Sequence, residues 1–379
     1  MKPFRTAGTG TGVIALLSAV LLSYAVLPGC APPEPIRIGF VGGTSGRVAD
    51  LGIAGRDAVL LAVELRNRAG GVAGRQVELL IKDDQQNPDV AQRAVRELIA
   101  QGVVAIIGPM TSAMAVAMTP VANEAEIALV SPTVVTNELT GKDDYFLRVS
   151  SPTREYVHKI ALYGRNAWGL RRVTAVYDLN NRAYTEDWLD DFRAAFTEAG
   201  GEIIQAIGFE SGDETAFLRI ASDLLAPQPD GVVIVANSVD TAMFCQQIRK
   251  LDARIPLIGS EWGATERLVE LGGRAVEGLS VAQIFDRNNT GPRYQTFRQT
   301  YLDRFQREPG FGGVTAFDAA NIVLEALAKH PAERNLKKTI LALRRFEGLQ
   351  HPVVFDEFGE ARRDSLIMVV RDGQFVVVQ

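Results

Sequence analysis

From residue 36 onward, short apolar runs alternate with longer stretches in which apolar side chains recur every three or four positions. The runs specify strands and the stretches specify amphipathic helices. Arg37-Ile38-Gly39-Phe40-Val41 reads as a strand, and residues 54–67 as a helix stopped by Gly70-Gly71. A second strand over 76–81 runs into Lys82-Asp83-Asp84, and 88–100 is a helix with Pro88 in its first turn, where the missing N–H leaves nothing unpaired. Residues 103–107 form a buried strand, 112–124 a helix, and 127–130 a strand ending at Ser131-Pro132-Thr133. Beyond Arg148 the order restarts, with a strand over 173–177 and a helix over 184–198 closed by Gly200-Gly201. Strand and helix in alternation imply parallel α/β sheets.

Three landmarks recur in register between the halves. Gly70-Gly71 answers to Gly200-Gly201, the run from Gly102 to that from Gly231, and the run from Ile127 to that from Ile255. The intervals are 31 and then 25 residues in the first half, and 30 and then 24 in the second. Three matches in order predict two lobes of one topology. Ligands of open α/β sheets sit outside the carboxyl ends of the strands, so the strand-end loops become candidate site segments. The first half offers Gly108-Pro109-Met110-Thr111-Ser112 and Ser131-Pro132-Thr133; the second offers Asn237-Ser238-Val239-Asp240 and Gly259-Ser260-Glu261-Trp262. Two such lobes define a cleft that hinge motion closes. Helices over 293–306, 316–329 and 336–344 follow, then a hairpin of 366–370 and 375–378 turned by Asp372-Gly373.

The first thirty residues break this pattern. Lys2 and Arg5 precede an apolar stretch over 13–27, too short for a comfortable membrane span, and the run ends in Leu27-Pro28-Gly29-Cys30. A small residue before a cysteine after such a stretch resembles a bacterial lipobox, which implies a cleaved signal over 1–30 and diacylation of Cys30. Two acyl chains satisfy the requirement of stable membrane attachment for more than one. Cys245 is the only other cysteine, and Ala242-Met243-Phe244-Cys245 reads as an apolar helix face, so a buried thiol is expected. The formal net charge is −5 with no lysine or arginine block, which gives no support to a nucleic-acid partner.

Catalytic chemistry is thin. His158, His330 and His351 lie far apart, with no carboxylate or cysteine at metal-ligand spacing. No Gly-x-Ser-x-Gly elbow occurs, and the only Gly-Lys pair, Gly141-Lys142, is followed by Asp143 rather than a hydroxyl residue. The glycines of residues 39–46 miss the dinucleotide spacing. No enzyme and no cofactor is expected. Binding chemistry is richer. Ser112, opening a helix after a strand, suits either a carboxylate or an ordinary N-cap. Ser131 and Thr133 add a second polar loop. Glu261 and Trp262, with Asn237, come from the opposite half, where a carboxylate accepts from an ammonium. Tyr184 precedes a helix and either covers an apolar part of a ligand or is a partly exposed aromatic.

The residues that carry these features resemble the branched-chain amino-acid-binding family of periplasmic proteins. The resemblance runs through Ile38-Gly39-Phe40-Val41, Asn67-Arg68-Ala69-Gly70-Gly71-Val72-Ala73-Gly74-Arg75 and Lys82-Asp83-Asp84-Gln85. It continues in Ala105-Ile106-Ile107-Gly108-Pro109, Val130-Ser131-Pro132-Thr133, Ala275-Val276-Glu277-Gly278 and Thr315-Ala316-Phe317-Asp318-Ala319. It implies two Rossmann-like lobes joined by a three-crossover hinge, the type I periplasmic binding fold. The implied lobes are 36–150 plus 285–350, and 151–284 plus 351–379. It also implies a ligand carboxylate on Ser112 and on the residue two beyond Thr133. The ammonium is implied on the Thr133 carbonyl and Glu261, with Tyr184 as cover. Two departures stand out: Val135 occupies the threonine position, with the Thr136 hydroxyl one residue on, and Leu51 stands where an aromatic is common. The implied role is an extracytoplasmic receptor handing a small polar solute, an amino acid first, to ABC permease subunits. A sensor of an amide, urea or aromatic acid reporting to a membrane signalling partner is the alternative.

Overall fold

Strand β1 (Ile36–Gly42) is buried at six of its seven positions, so both its faces are covered and both its edges are paired. In the computed structural model, which describes residues 1–4, 33–330 and 335–379, it lies between β2 (Val77–Asp83) and β3 (Ala105–Ile107). Cys30 and the apolar run before it lie outside the described residues. The first 34 residues form a separate unit, and residues 35–379 form another, to which all that follows refers.

β4 (Ala128–Ser131) and β5 (Phe146–Arg148) extend the first sheet to the parallel order β2-β1-β3-β4-β5. Helices α1 (Ala49–Arg68), α2 (Pro88–Ala100) and α3 (Ser112–Glu124) connect its strands. The chain then passes through residues 149–152 into α4 (Thr153–Ala167) and a second sheet. That sheet holds β6 (Arg172–Asp178), β7 (Glu202–Phe209), β8 (Gly231–Val235), β9 (Leu257–Gly259) and β10 (Ser280–Gln283). Their order, β7-β6-β8-β9-β10, repeats the first sheet strand for strand, which is the structural content of the repeated landmarks. The helices here are α5 (Arg182–Glu198), α6 (Phe217–Leu225), α7 (Ser238–Leu251) and α8 (Glu266–Gly272).

After β10 the chain returns to the first lobe. Helix α9 (Pro292–Phe305) packs on α1, as does α10 (Gly310–Lys329), and α11 (Leu336–Leu343) packs on α10. Helix α10 is long and apolar enough to cross a membrane, yet most of it is buried in the core of this lobe. Strands β11 (Arg345–Phe346) and β12 (Val353–Val354) pair with each other, and Glu360 bridges to Arg148 at the end of β5. The stretch 351–361 therefore sits beside the first sheet, not the second as the resemblance implied. Its anchor is the buried Arg148, whose Nη2 donates to Glu360 at 2.9 Å. The third crossover falls after Ala361 and leads to the hairpin of β13 (Leu366–Arg371) and β14 (Gln374–Val377), which closes the second sheet through an antiparallel β10–β13 pair.

Local chemistry explains the joints. Asn87 caps α2, its Oδ1 accepting from Asp89 N at 3.0 Å and Val90 N at 3.1 Å. Gly71, at φ +76°, lies so close to Arg75 that a Cβ would sit 2.0 Å from its carbonyl oxygen, so only glycine turns α1 into β2. Asp372 and Gly373 both have positive φ, as a type I′ hairpin turn requires.

Candidate functional site

The loops after β3 and β4 are tied together by their own side chains. Ser131 Oγ donates to Pro109 O at 2.8 Å and accepts from Val134 N at 3.2 Å, while Thr133 Oγ1 donates to Met110 O at 2.6 Å. These bonds present Thr133 and Val135 to a cavity between the lobes. Phe311 of α10 joins them on the same side, Ser150, Ser151 and Ile284 contribute from the crossovers, and Tyr156, Glu261, Ala282 and Gln283 form the opposite wall. With the lobes as closed as they are, the cavity has room for about two water molecules. A larger solute enters only when the lobes part.

Glu261 is the only carboxylic acid on that lining, which carries no lysine, arginine or histidine. It follows β9, and two aromatic donors converge on it: Tyr156 of α4 donates its hydroxyl to Oε1, and Trp188 of α5 donates Nε1–H to Oε2 at 3.1 Å. Trp188 is fixed in turn by a ladder at helical spacing, stacking on Phe192 at 5.3 Å, which stacks on Phe196 at 5.2 Å. Each such contact contributes about 0.5–1.5 kcal/mol beyond burial. Burial pushes the Glu261 carboxyl up to about 7, against the pull of hydrogen bonding from Tyr156, Tyr184 and Trp188. The same burial, with the Glu261 charge beside them, drives the Tyr156 and Tyr184 hydroxyls well above their usual value. Tyr184 packs edge-on against Trp262, with centroids 5.6 Å apart. The buried Tyr184 hydroxyl lies beside the Glu261 carboxylate and the Ser260 hydroxyl, short of a well-formed hydrogen bond to either.

The structure thus brings Thr133, Val135 and Glu261 onto one cavity, with Tyr184 and Trp262 packed together behind Glu261. Three other candidates are engaged elsewhere. Ser131 holds its loop as described. Thr136 donates to Asp187 Oδ2 at 2.6 Å and accepts from Glu138 N at 3.1 Å, so its hydroxyl does not replace the one missing at Val135. Asn237 caps α7 through Asp240 N at 3.0 Å and donates to Asp240 Oδ2 at 2.7 Å. Ser112 is buried at the first turn of α3 and does not line the cavity. The residues that sequence reasoning missed are Tyr156, Trp188, Gln283 and Ser260. Ser260 alone lay within a strand-end loop already singled out.

Residues 35–374 match the family model for the periplasmic binding protein. The chain belongs to the periplasmic binding protein family. Among curated relatives of this periplasmic-type solute-binding protein is the leucine-, isoleucine-, valine-, threonine- and alanine-binding protein of Pseudomonas aeruginosa. The two are 22% identical over 87% of this chain and 88% of that one. Among solved structures, the LivJ substrate-binding protein of Streptococcus pneumoniae in complex with isoleucine superposes with a TM-score of 0.83 at 23% identity, over 91% of this chain and 99% of that one. A solute-binding protein of Rhodopseudomonas palustris in complex with 3,4-dihydroxybenzoic acid gives 0.81 at 23%, over 90% and 95%. At these identities the solved structures establish the two-lobed type I fold, with the solute left to the site itself.

Proposed function

We propose that the protein captures a small solute bearing an ammonium group, an amino acid in the first instance, outside the cytoplasm and passes it to an ABC permease. The observation that carries this is Glu261: an acid lining an interlobe cavity, oriented by two aromatic donors, with no cation on the lining to neutralise it. An ammonium supplies the missing charge, and a desolvated carboxylate without one is costly. The hydroxyls of Tyr184 and Ser260 beside it, neither in a well-formed hydrogen bond, offer further contacts. The names of the curated relatives support amino acids as the first class to try.

The test is calorimetric titration of the chain from residue 31 against amino acids, neutral amides and aromatic acids. A solute at a hundred times its dissociation constant stabilises by about 2.7 kcal/mol, so thermal shift serves as the screen. Binding of an amine-bearing solute with compaction in small-angle scattering is expected. Binding confined to aromatic acids or amides refutes the ammonium assignment. The proposal includes attachment to the membrane through a lipidated Cys30. Full-length protein made in a bacterium should partition into detergent and Cys30→Ser should not, whereas an unmodified Cys30 in the processed protein would exclude the anchor.

A further inference from the structure

We infer that Arg47 and Asp50 are positioning residues that set how readily the lobes close, acting from outside the cavity that holds Glu261. Arg47 lies in the 3-10 turn Gly46–Val48 just ahead of α1, on the first lobe. Its guanidinium reaches into the second lobe, donating from Nη1 to Asp240 Oδ1 at 2.9 Å and from Nη2 to Gly212 O at 2.7 Å. Asp240 is wholly buried at the start of α7, where Asn237 and the Ser211 hydroxyl also donate to it. The socket is therefore built entirely by the second lobe and waits for one cation from the first. One helical turn beyond, Asp50 Oδ2 accepts from Ser238 Oγ at 2.6 Å and Thr265 Oγ1 at 2.5 Å. Ser238 opens α7, so the Asp50 carboxylate also meets the positive end of that helix.

None of Arg47, Asp50, Ser238, Asp240 or Thr265 lines the cavity that holds Glu261, although Arg47, Asp50 and Thr265 border a larger space of the cleft that meets it at Phe311. Their bonds form when the lobes meet, whatever lies between them. Apparent affinity is intrinsic affinity multiplied by the closing-competent fraction, so these residues scale affinity alike for every solute held within the Glu261 cavity. A residue on the cavity lining discriminates between solutes instead. Breaking one charge-assisted bond of this kind lowers the closed-to-open ratio by about ten- to over a hundred-fold.

The inference rests on the reading that the lobes part to admit a solute, and its test needs no solute. Cysteines at Arg93 and Asp223, exposed positions on opposite lobes, take spin labels in the chain from residue 31. Pulsed distance measurements then compare this labelled parent with Arg47→Met, Asp50→Asn and the double variant, alongside their thermal midpoints. The expected result is a ligand-free distribution shifted to longer distances in each variant, with midpoints close to the parent. Arg47→Lys, which keeps the charge but not the two-pronged reach, should fall between. Distributions superimposable on the parent in all variants would overturn the latch. So would a distance change that appears only with loss of the folded baseline. Failure to bind any amine, by contrast, bears on the proposed function and leaves this result standing.

Discussion

Replacing Glu261 by Gln keeps the shape of the side chain and removes its capacity to ionise, and the consequences divide by pH. A carboxyl whose value moves from 4.5 to about 7 on folding favours its protonated form by about 3 kcal/mol. The folded-state value is the higher, so the associated stability is fully present below 4.5 and lost as pH rises through about 7. Gln carries no such dependence. It does have a single oxygen where Tyr156 and Trp188 now use two, so one donor loses its acceptor at about 1–3 kcal/mol. That offset is the same at every pH. The stability of Glu261→Gln relative to wild type should therefore improve by about 3 kcal/mol between pH 4 and pH 8, whatever its starting level. Urea unfolding at the two pH values measures this directly.

Binding of an ammonium solute reads the same group from the other side. Only the ionised carboxylate pairs with it, so wild-type affinity should rise about tenfold per pH unit up to about pH 7 and then level off. The variant should bind about ten- to over a hundred-fold more weakly on that plateau, with no such rise. Calorimetry from pH 5 to pH 8 is the assay. A wild-type dissociation constant that stays flat across this range would refute the reasoning, because it would mean that Glu261 does not meet the charge of the solute.

Val135→Thr places a hydroxyl on the cavity wall and should tighten an amino acid by about 0.5–1.5 kcal/mol, read as a two- to tenfold lower dissociation constant. Asp318→Asn strips the carboxylate from a buried pair in which Arg363 Nη2 stands 2.7 Å from Asp318 Oδ2, both side chains 2% exposed. The stranded guanidinium should lower unfolding free energy by about 3–5 kcal/mol in denaturant titration. Cys245, buried and with its thiol pushed up to about 12, should resist thiol reagents until the protein unfolds, and stoichiometric labelling of the native protein would contradict that.

The fold was legible because its signals are local and repeated. Paired glycines end α1 and α5 at matching places, and apolar runs with helical spacers fix parallel strands in both lobes. The end of the first lobe was not legible, because the Arg148–Glu360 pair joins residues 212 positions apart and leaves no mark in either neighbourhood. The site divides in the same way. Glu261 could be found, since an acid directly after an apolar strand is conspicuous. Tyr156 and Trp188 could not, since on their own helices they are ordinary members of an apolar face. Ser131, Thr136 and Asn237 misled for a chemical reason. Short polar side chains after strands satisfy loose backbone groups as readily as they meet ligands, and nothing in their spacing separates the two uses.

The distribution of polar groups across the cavity gives the closing motion a direction. Glu261, its donors Tyr156 and Trp188, and the Gln283 amide all belong to the second lobe, whereas the first contributes Val135, Phe311 and a Thr133 hydroxyl already donated to Met110 O. On the proposed reading, the second lobe alone holds the charge that orients an ammonium while the cleft is open. The first lobe then covers the apolar remainder as it closes, and Arg47 enters its socket as part of the same movement. Changes at Glu261 should therefore act on capture and retention together. Changes at Val135 or Arg47, felt only once the lobes have met, should act mainly on the rate of release. Stopped-flow binding separates the two, and a Val135 or Arg47 variant that slowed association while leaving dissociation unchanged would reverse the order of events.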